Sequence, residues 1–238
     1  MMRLSAPVYQ LKRRAKSLAR NEKIALHEAL DRIAREEGFA GWSLLSSRLA
    51  MNSPSEALLS RLTDGDLLLL GARPGHGKTS LGLKLLIDAV REGRRAVFYT
   101  LEYTEWEALE RIRSLDKGNH GIGDKLEIVT SEEISADFIV EHLSGLPRGT
   151  VAVIDYLQIL DQQRSKPPLS DQLLVLQEFA RRTGVILGFI SQIDRSFDPQ
   201  RDPVPGVGDI RLPNPIQLGI FSKACFLHDG AVRFQDVS

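Results

Sequence analysis

The stretch Asp66-Leu67-Leu68-Leu69-Leu70-Gly71-Ala72-Arg73-Pro74-Gly75-His76-Gly77-Lys78-Thr79-Ser80-Leu81-Gly82-Leu83 decides the fold. It opens on an apolar run that reads as a strand, passes through a glycine-rich turn and enters a helical pattern at Lys78. Strand, glycine-rich turn and helix, in that order, are what a phosphate-binding loop requires. Glycines let backbone N–H groups converge on an anion, and the start of a helix adds partial positive charge. At this spacing Lys78 reaches the terminal phosphates of a nucleotide and the Thr79 hydroxyl holds Mg2+. The strict pattern begins with Gly; here Ala72 fills that slot, with Gly71 just before it. The motif implies a nucleoside triphosphate site made by Ala72, Arg73, Pro74, Gly75, His76, Gly77, Lys78, Thr79 and Ser80.

Outward from this stretch, strands alternate with helices. Strand patterns cover residues 67–71, 96–101, 126–129, 151–155 and 185–191, and helical patterns begin near Lys78, Glu105, Ala136 and Leu169. This alternation predicts an α/β fold with a mostly parallel sheet sandwiched by helices. Right-handed crossovers place the strand C-terminal ends along one edge, where ligands bind in open α/β sheets. Residues 224–227 and 231–234 flank His228-Asp229-Gly230, a hairpin signal. Pro167-Pro168 and residues 197–215 read as long loops.

Chemistry then concentrates at the strand ends. The run Val151-Ala152-Val153-Ile154-Asp155 ends in a carboxylate, and with a phosphate loop upstream Asp155 is the expected second holder of Mg2+. Glu102 follows another strand. A carboxylate there can polarise an attacking water beside the terminal phosphate, or it is an exposed strand-end residue; the pattern alone leaves both open. Gln192 closes the fifth strand, where an amide can sense that phosphate and pass its state to the next loop. His76 lies inside the loop and reads as a spacer. His27, His120, His142 and His228 have no partners at metal-ligand spacing, so no metal beyond Mg2+ is expected.

Composition bounds the rest. Thirty-one basic residues balance 31 acidic ones, so there is no global pull toward nucleic acid, though a local patch could exist. Cys225 is the only cysteine, which excludes an intrachain disulfide and suggests a reducing compartment. The start of the chain lacks the apolar core of a signal peptide, and no run is long enough to span a membrane, so a cytoplasmic protein is expected. Residues 1–52 form a distinct segment of three short helical patterns, basic through Lys12, Arg13, Arg14, Lys16, Arg20 and Lys23. Such a face grips a phosphate backbone or is merely solvated. Asn52-Ser53-Pro54-Ser55 reads as a linker, and 56–238 as the nucleotide-binding domain.

Several motifs together carry a resemblance. Gly71-Ala72-Arg73-Pro74, Gly77-Lys78-Thr79, Leu101-Glu102, Val153-Ile154-Asp155-Tyr156-Leu157-Gln158, Ser191-Gln192-Ile193-Asp194-Arg195-Ser196 and Asp209-Ile210-Arg211 stand in one order. Over about residues 56–215 the chain resembles the C-terminal RecA-like P-loop ATPase domain of the DnaB-type replicative helicases. Arg111 also falls where that family usually keeps an arginine. The resemblance implies ATP and Mg2+ as ligands, Glu102 and Lys78 as catalytic residues, and Gln192 as the nucleotide-coupled sensor. It further implies DNA facing residues 194–215, and a homo-oligomer such as a hexameric ring, or a partner ATPase. Departures are also legible. The basic helical segment stands in place of the family's primase-interacting domain. Leu212-Pro213-Asn214-Pro215 replaces an acidic, glutamine-containing run, and the family's Arg-Asn-Gly stretch, which supplies a finger to the neighbouring subunit, has no counterpart.

Three function classes follow. The leading one is an ATP-hydrolysing, helicase-like protein acting on or near DNA, as a motor or as a nucleotide-controlled switch. A small-molecule kinase could recruit Arg195, Arg201 and Arg211 as a lid over the transferred phosphoryl group. An interaction protein could bind nucleotide structurally and work through its N-terminal helices. Intact Lys78, Asp155 and Glu102 count against a degenerate site.

Overall fold

The computed structural model describes all residues except 1–4, 6, 7, 46–53, 117–122, 162–165, 212–215 and 238. Two helices come first, α1 (Val8–Glu22) and α2 (Leu26–Glu36). Their apolar positions recur at helical spacing, and Leu11, Ala15, Ala29 and Ile33 form a small buried core of their own. A helical turn follows at 42–45, where Trp42 N–H donates to Asp31 Oδ1 at 2.8 Å. The remainder of the third helical pattern, including Leu49, lies outside the described residues, as do Asn52 and Ser53 of the expected linker. The linker reading gives way at Pro54, which opens α3 (Pro54–Leu59). Proline suits a first helical turn because its missing N–H would have no partner there.

Next come β1 (Leu67–Ala72), α4 (Lys78–Arg91), β2 (Ala96–Thr100), α5 (Glu105–Leu115), β3 (Leu126–Val129), α6 (Ala136–Leu143), β4 (Val151–Asp155), α7 (Leu169–Thr183), β5 (Ile186–Gln192), β6 (Lys223–His228) and β7 (Ala231–Asp236). The strands form one seven-stranded sheet in the order β3-β2-β4-β5-β1-β6-β7. Every neighbouring pair is parallel except the final β6–β7 hairpin. β1 and β4 are buried at every position, as strands covered on both faces must be. Alternate side chains feed two cores. Leu67, Leu69, Val97, Ile154 and Phe189 meet α6 and α7, while Leu68, Leu70, Phe98, Val153 and Ile190 meet α3, α4 and α5.

The expected strands are all present, β3 and β4 with the expected bounds and β1, β2 and β5 with shifted ends. β2 stops at Thr100, so Leu101 lies outside it, because the Thr100 hydroxyl accepts the Glu102 backbone N–H at 3.1 Å and turns the chain away from the ladder. β5 begins at Ile186 and takes in Gln192. The hairpin turns on Asp229 (φ 47°) and Gly230 (φ 81°), the positive pair that a tight two-residue connection needs. Gly82 lets α4 lie close on the sheet, since a Cβ there would sit 3.0 Å from Ile190 Cδ1. Within the expected long loop a short helical turn forms at Val207–Asp209, and Ile193 bridges to Ile210. Among the described residues, no helix is long and apolar enough to cross a membrane.

Candidate nucleotide site

The phosphate loop leaves β1 at Ala72, which lies in register between Gln192 of β5 and Leu227 of β6. Gly71 is required here: a Cβ would stand 2.6 Å from the Phe226 ring. Gly75 (φ 80°) and Gly77 (φ 88°) adopt left-handed backbone, and nothing lies within 4 Å of where their Cβ atoms would be. The turn is therefore uncrowded at both glycines. Gly77 caps α4 without a side chain, so the first amides of α4 at Lys78, Thr79 and Ser80 have no side-chain cap. Free N–H groups at a helix start facing an open glycine turn are an anion site.

Thr79 sits on the first turn of α4, and its hydroxyl donates to Asp155 Oδ2 at 2.8 Å. Asp155 is fully buried at the end of β4, and its Oδ1 is also buried with no partner. Burial pushes this carboxyl up to about 6. The Thr79 hydrogen bond and the charges of Lys78 and Arg111 oppose that rise, whereas the Glu102 charge adds to it. These effects place Lys78, Glu102 and Arg111 within electrostatic reach of Asp155. A buried carboxylate with one unpartnered oxygen beside a threonine hydroxyl is a donor set that fits a hard divalent cation.

Glu102 is exposed just past β2, whose Thr100 lies in register with Asp155. Arg111 reaches back from α5 and lies 4.5 Å from the Tyr103 ring centroid. Gln192 ends β5 between two clefts. One of about 300 Å³ is lined by Tyr156, Gln158 and Arg211, and one of about 280 Å³ by Arg73, Pro74 and Arg195. A cleft of about 590 Å³ runs along α7 past Leu173, Leu174 and Gln177 and shares no residue with the phosphate loop. The structure thus brings Lys78, Thr79, Glu102, Asp155 and Gln192 to one sheet edge.

Other contacts at this edge have no signature in sequence spacing. Arg73 turns away from the open turn and donates to the backbone carbonyls of Arg195 and Phe197. His76, expected as a spacer, stacks on His228 with ring centroids 4.7 Å apart and accepts the Asp229 backbone N–H at 3.1 Å. Gln158 donates to the Arg211 carbonyl at 3.3 Å. Only long-range folding joins these residues. Among the described residues, no further group of His, Cys, Asp or Glu gathers into a metal site.

The chain is similar in sequence and in fold to known proteins. No family model matches the chain. The "Replicative DNA helicase DnaB" of Mycoplasma pneumoniae is 24% identical over 204 residues, covering 69% of this chain and 43% of that protein. In solved structures, an isolated ATPase domain superposes with TM-score 0.57 at 18% identity, over 78% of this chain and 82% of that one. A DnaB-like replicative helicase, solved for its interactions with primase, also gives 0.57, at 17% identity over 92% of this chain and 66% of that one. The fold is that of a DnaB-type, RecA-like ATPase domain. A KaiC-like protein from Pyrococcus horikoshii shares it at TM-score 0.50. The chain spans less than half the length of the curated relatives it matches, such as 38% of DnaB from Helicobacter pylori strain J99.

Proposed function

We propose that this chain binds and hydrolyses ATP as a DnaB-like, RecA-type ATPase acting on or near DNA, in the cytoplasm. The observation that carries the reading is the Thr79–Asp155 pair at 2.8 Å beside an open, glycine-lined helix start. In this reading the amides of residues 75–80 and the Lys78 ammonium bind phosphates. Thr79 and Asp155 hold Mg2+, whose bound charge neutralises phosphate oxygens. Glu102 orients the attacking water and accepts its proton. Gln192, between the two clefts, reports the state of the terminal phosphate.

Lys78→Ala tests the site directly. Removing a charge-assisted phosphate contact costs about 1.5–3 kcal/mol, so ATP affinity should fall by roughly tenfold to a hundredfold. Titration calorimetry with ATP and Mg2+ reads the difference. Equal affinity in both proteins would place the nucleotide elsewhere.

The same reading divides the chain into a helical segment (1–52) and the ATPase domain (56–238), with self-assembly, as in a hexameric ring, completing the sites. It assigns the helical segment to nucleic acid. Lys12, Lys16 and Arg20 are exposed on α1, four residues apart, so successive cations are spaced about 6 Å along the helix. The acidic side chains of the pair are engaged elsewhere: Glu36 with Arg14, and Glu22 and Glu28 with Arg32. Each phosphate contact adds about 0.9 to the slope of log affinity against log salt on duplex DNA. Replacing Lys12, Lys16 and Arg20 together by Gln should therefore flatten that slope by roughly two to three units. An unchanged slope would assign the segment to protein contacts.

A further inference from the structure

We propose that Arg73 is a positioning residue that latches the segment after β5 to the phosphate loop, so that loop occupancy is transmitted to residues 194–211. The transmission half of this inference rests on the nucleotide-binding reading; the latch itself does not. Arg73 Nη2 donates to the Arg195 carbonyl at 3.1 Å and also to the Phe197 carbonyl. Its guanidinium carbon lies 5.4 Å from the Phe197 ring centroid. A planar guanidinium can bridge two carbonyls and stack on a ring at once, whereas a lysine ammonium offers only a point charge.

The receiving segment is built to be held. Asp194 Oδ1 accepts the Ser196 N–H at 2.9 Å, a local turn that aims the Arg195 and Phe197 carbonyls toward one guanidinium. Phe197 is only 5% exposed and meets the His228 ring edge-on at 5.4 Å. His228 in turn stacks on His76, so the Arg73 and His76 side chains of the phosphate loop end on the same Phe197–His228 contact.

From there a hydrogen-bonded path runs on. Asp194 N–H donates to the Asp209 carbonyl at 2.7 Å, and Arg211 N–H to the Gln192 carbonyl at 2.8 Å. Gln158, just past the strand that carries Asp155, holds the Arg211 carbonyl. The path therefore leaves the phosphate loop at Arg73 and returns beside the candidate cation site. It passes along the loop that follows Gln192 without using the Gln192 side chain. Closure of the phosphate loop on an anion shifts the backbone that carries Arg73, and the two carbonyl bonds carry that shift outward. Two segments joined through such bonds respond together while the bonds last.

The test is hydrogen exchange of the full chain, alone and with saturating ATP and Mg2+, for wild type, Arg73→Ala, Arg73→Lys and Gln192→Ala. Without nucleotide, both Arg73 variants should exchange about tenfold faster or more at 194–197, since a lost charge-assisted bond lowers the local opening cost. Arg73→Lys keeps the charge but loses the fork, which separates positioning from simple attraction to phosphate. With nucleotide, wild type should change its protection across 194–211. With ATP and Mg2+ saturating for each variant by its own titration, the Arg73 variants should lose that change, and Gln192→Ala should retain part of it. Unchanged exchange at 194–197 in the variants would overturn the latch. A full nucleotide response in Arg73→Ala would overturn the transmission. Failure of wild type to bind ATP would instead overturn the nucleotide reading and the transmission with it, leaving the nucleotide-free comparison to decide the latch.

Discussion

Glu102→Gln is expected to keep ATP affinity and to lower turnover by about a hundredfold or more. The substitution preserves size and hydrogen-bonding reach but removes the basic oxygen that takes a proton from water. Affinity should survive because Glu102 is exposed past the end of β2 and, in this reading, faces the attacking water rather than the phosphates. The Thr100 hydroxyl fixes its backbone, and Thr100 stands in register with Asp155, so the carboxylate is carried on the rigid sheet. Its charge already acts on Asp155. Neutralising Glu102 removes one repulsive charge from the cation site, so Mg2+-dependent nucleotide binding should hold or tighten slightly. Steady-state phosphate release beside nucleotide titration separates the two effects. If turnover persists at the wild-type rate, the proton goes elsewhere, and Glu105 and Asp155 become the candidates.

Much of this site was legible in the sequence because local chemistry sets it. A glycine at positive φ, a helix that starts on Lys78 and a strand that ends in Asp155 each leave a short signature. Strand ends shifted by one residue where a side chain captured the backbone, as Thr100 does at Glu102. Such competition between a side chain and the ladder is hard to read from periodicity. Pro54 misled the reading in another way, since proline punctuates loops and also opens helices. What could not be read was assembled by the sheet order. His76 and His228 face each other because β6 lies beside β1, a neighbour relation that only the crossover through β5 creates. Arg73 finds the Phe197 carbonyl because β5, on the other side of β1, pairs Gln192 with Ala72.

Hydrolysis by the dilute, isolated chain is expected to be slow, and to rise by about a thousandfold or more when a neighbour or partner supplies a cation. The transferred phosphoryl group develops charge that a well-placed arginine stabilises, and RecA-like sites that meet a second subunit can take that arginine from it. Here three arginines near the sheet edge are committed within the chain. Arg233 of the final hairpin holds Asp202 with both terminal nitrogens, at 3.1 and 2.6 Å. Arg73 is engaged with two backbone carbonyls, and Arg111 lies over Tyr103. Of the three, Arg111 alone already acts on Asp155 through its charge, which makes it the one in-chain candidate among them for the missing cation. Single-turnover hydrolysis measured against protein concentration decides between the two sources. A rate that climbs with assembly, and falls little in Arg111→Ala at low concentration, assigns the cation to a neighbour. Rapid turnover by demonstrably monomeric protein, abolished by Arg111→Ala, would refute that and make the site complete within one chain. Slow hydrolysis in isolation would keep ATP bound for long periods, the behaviour of a switch that waits for its partner before it resets.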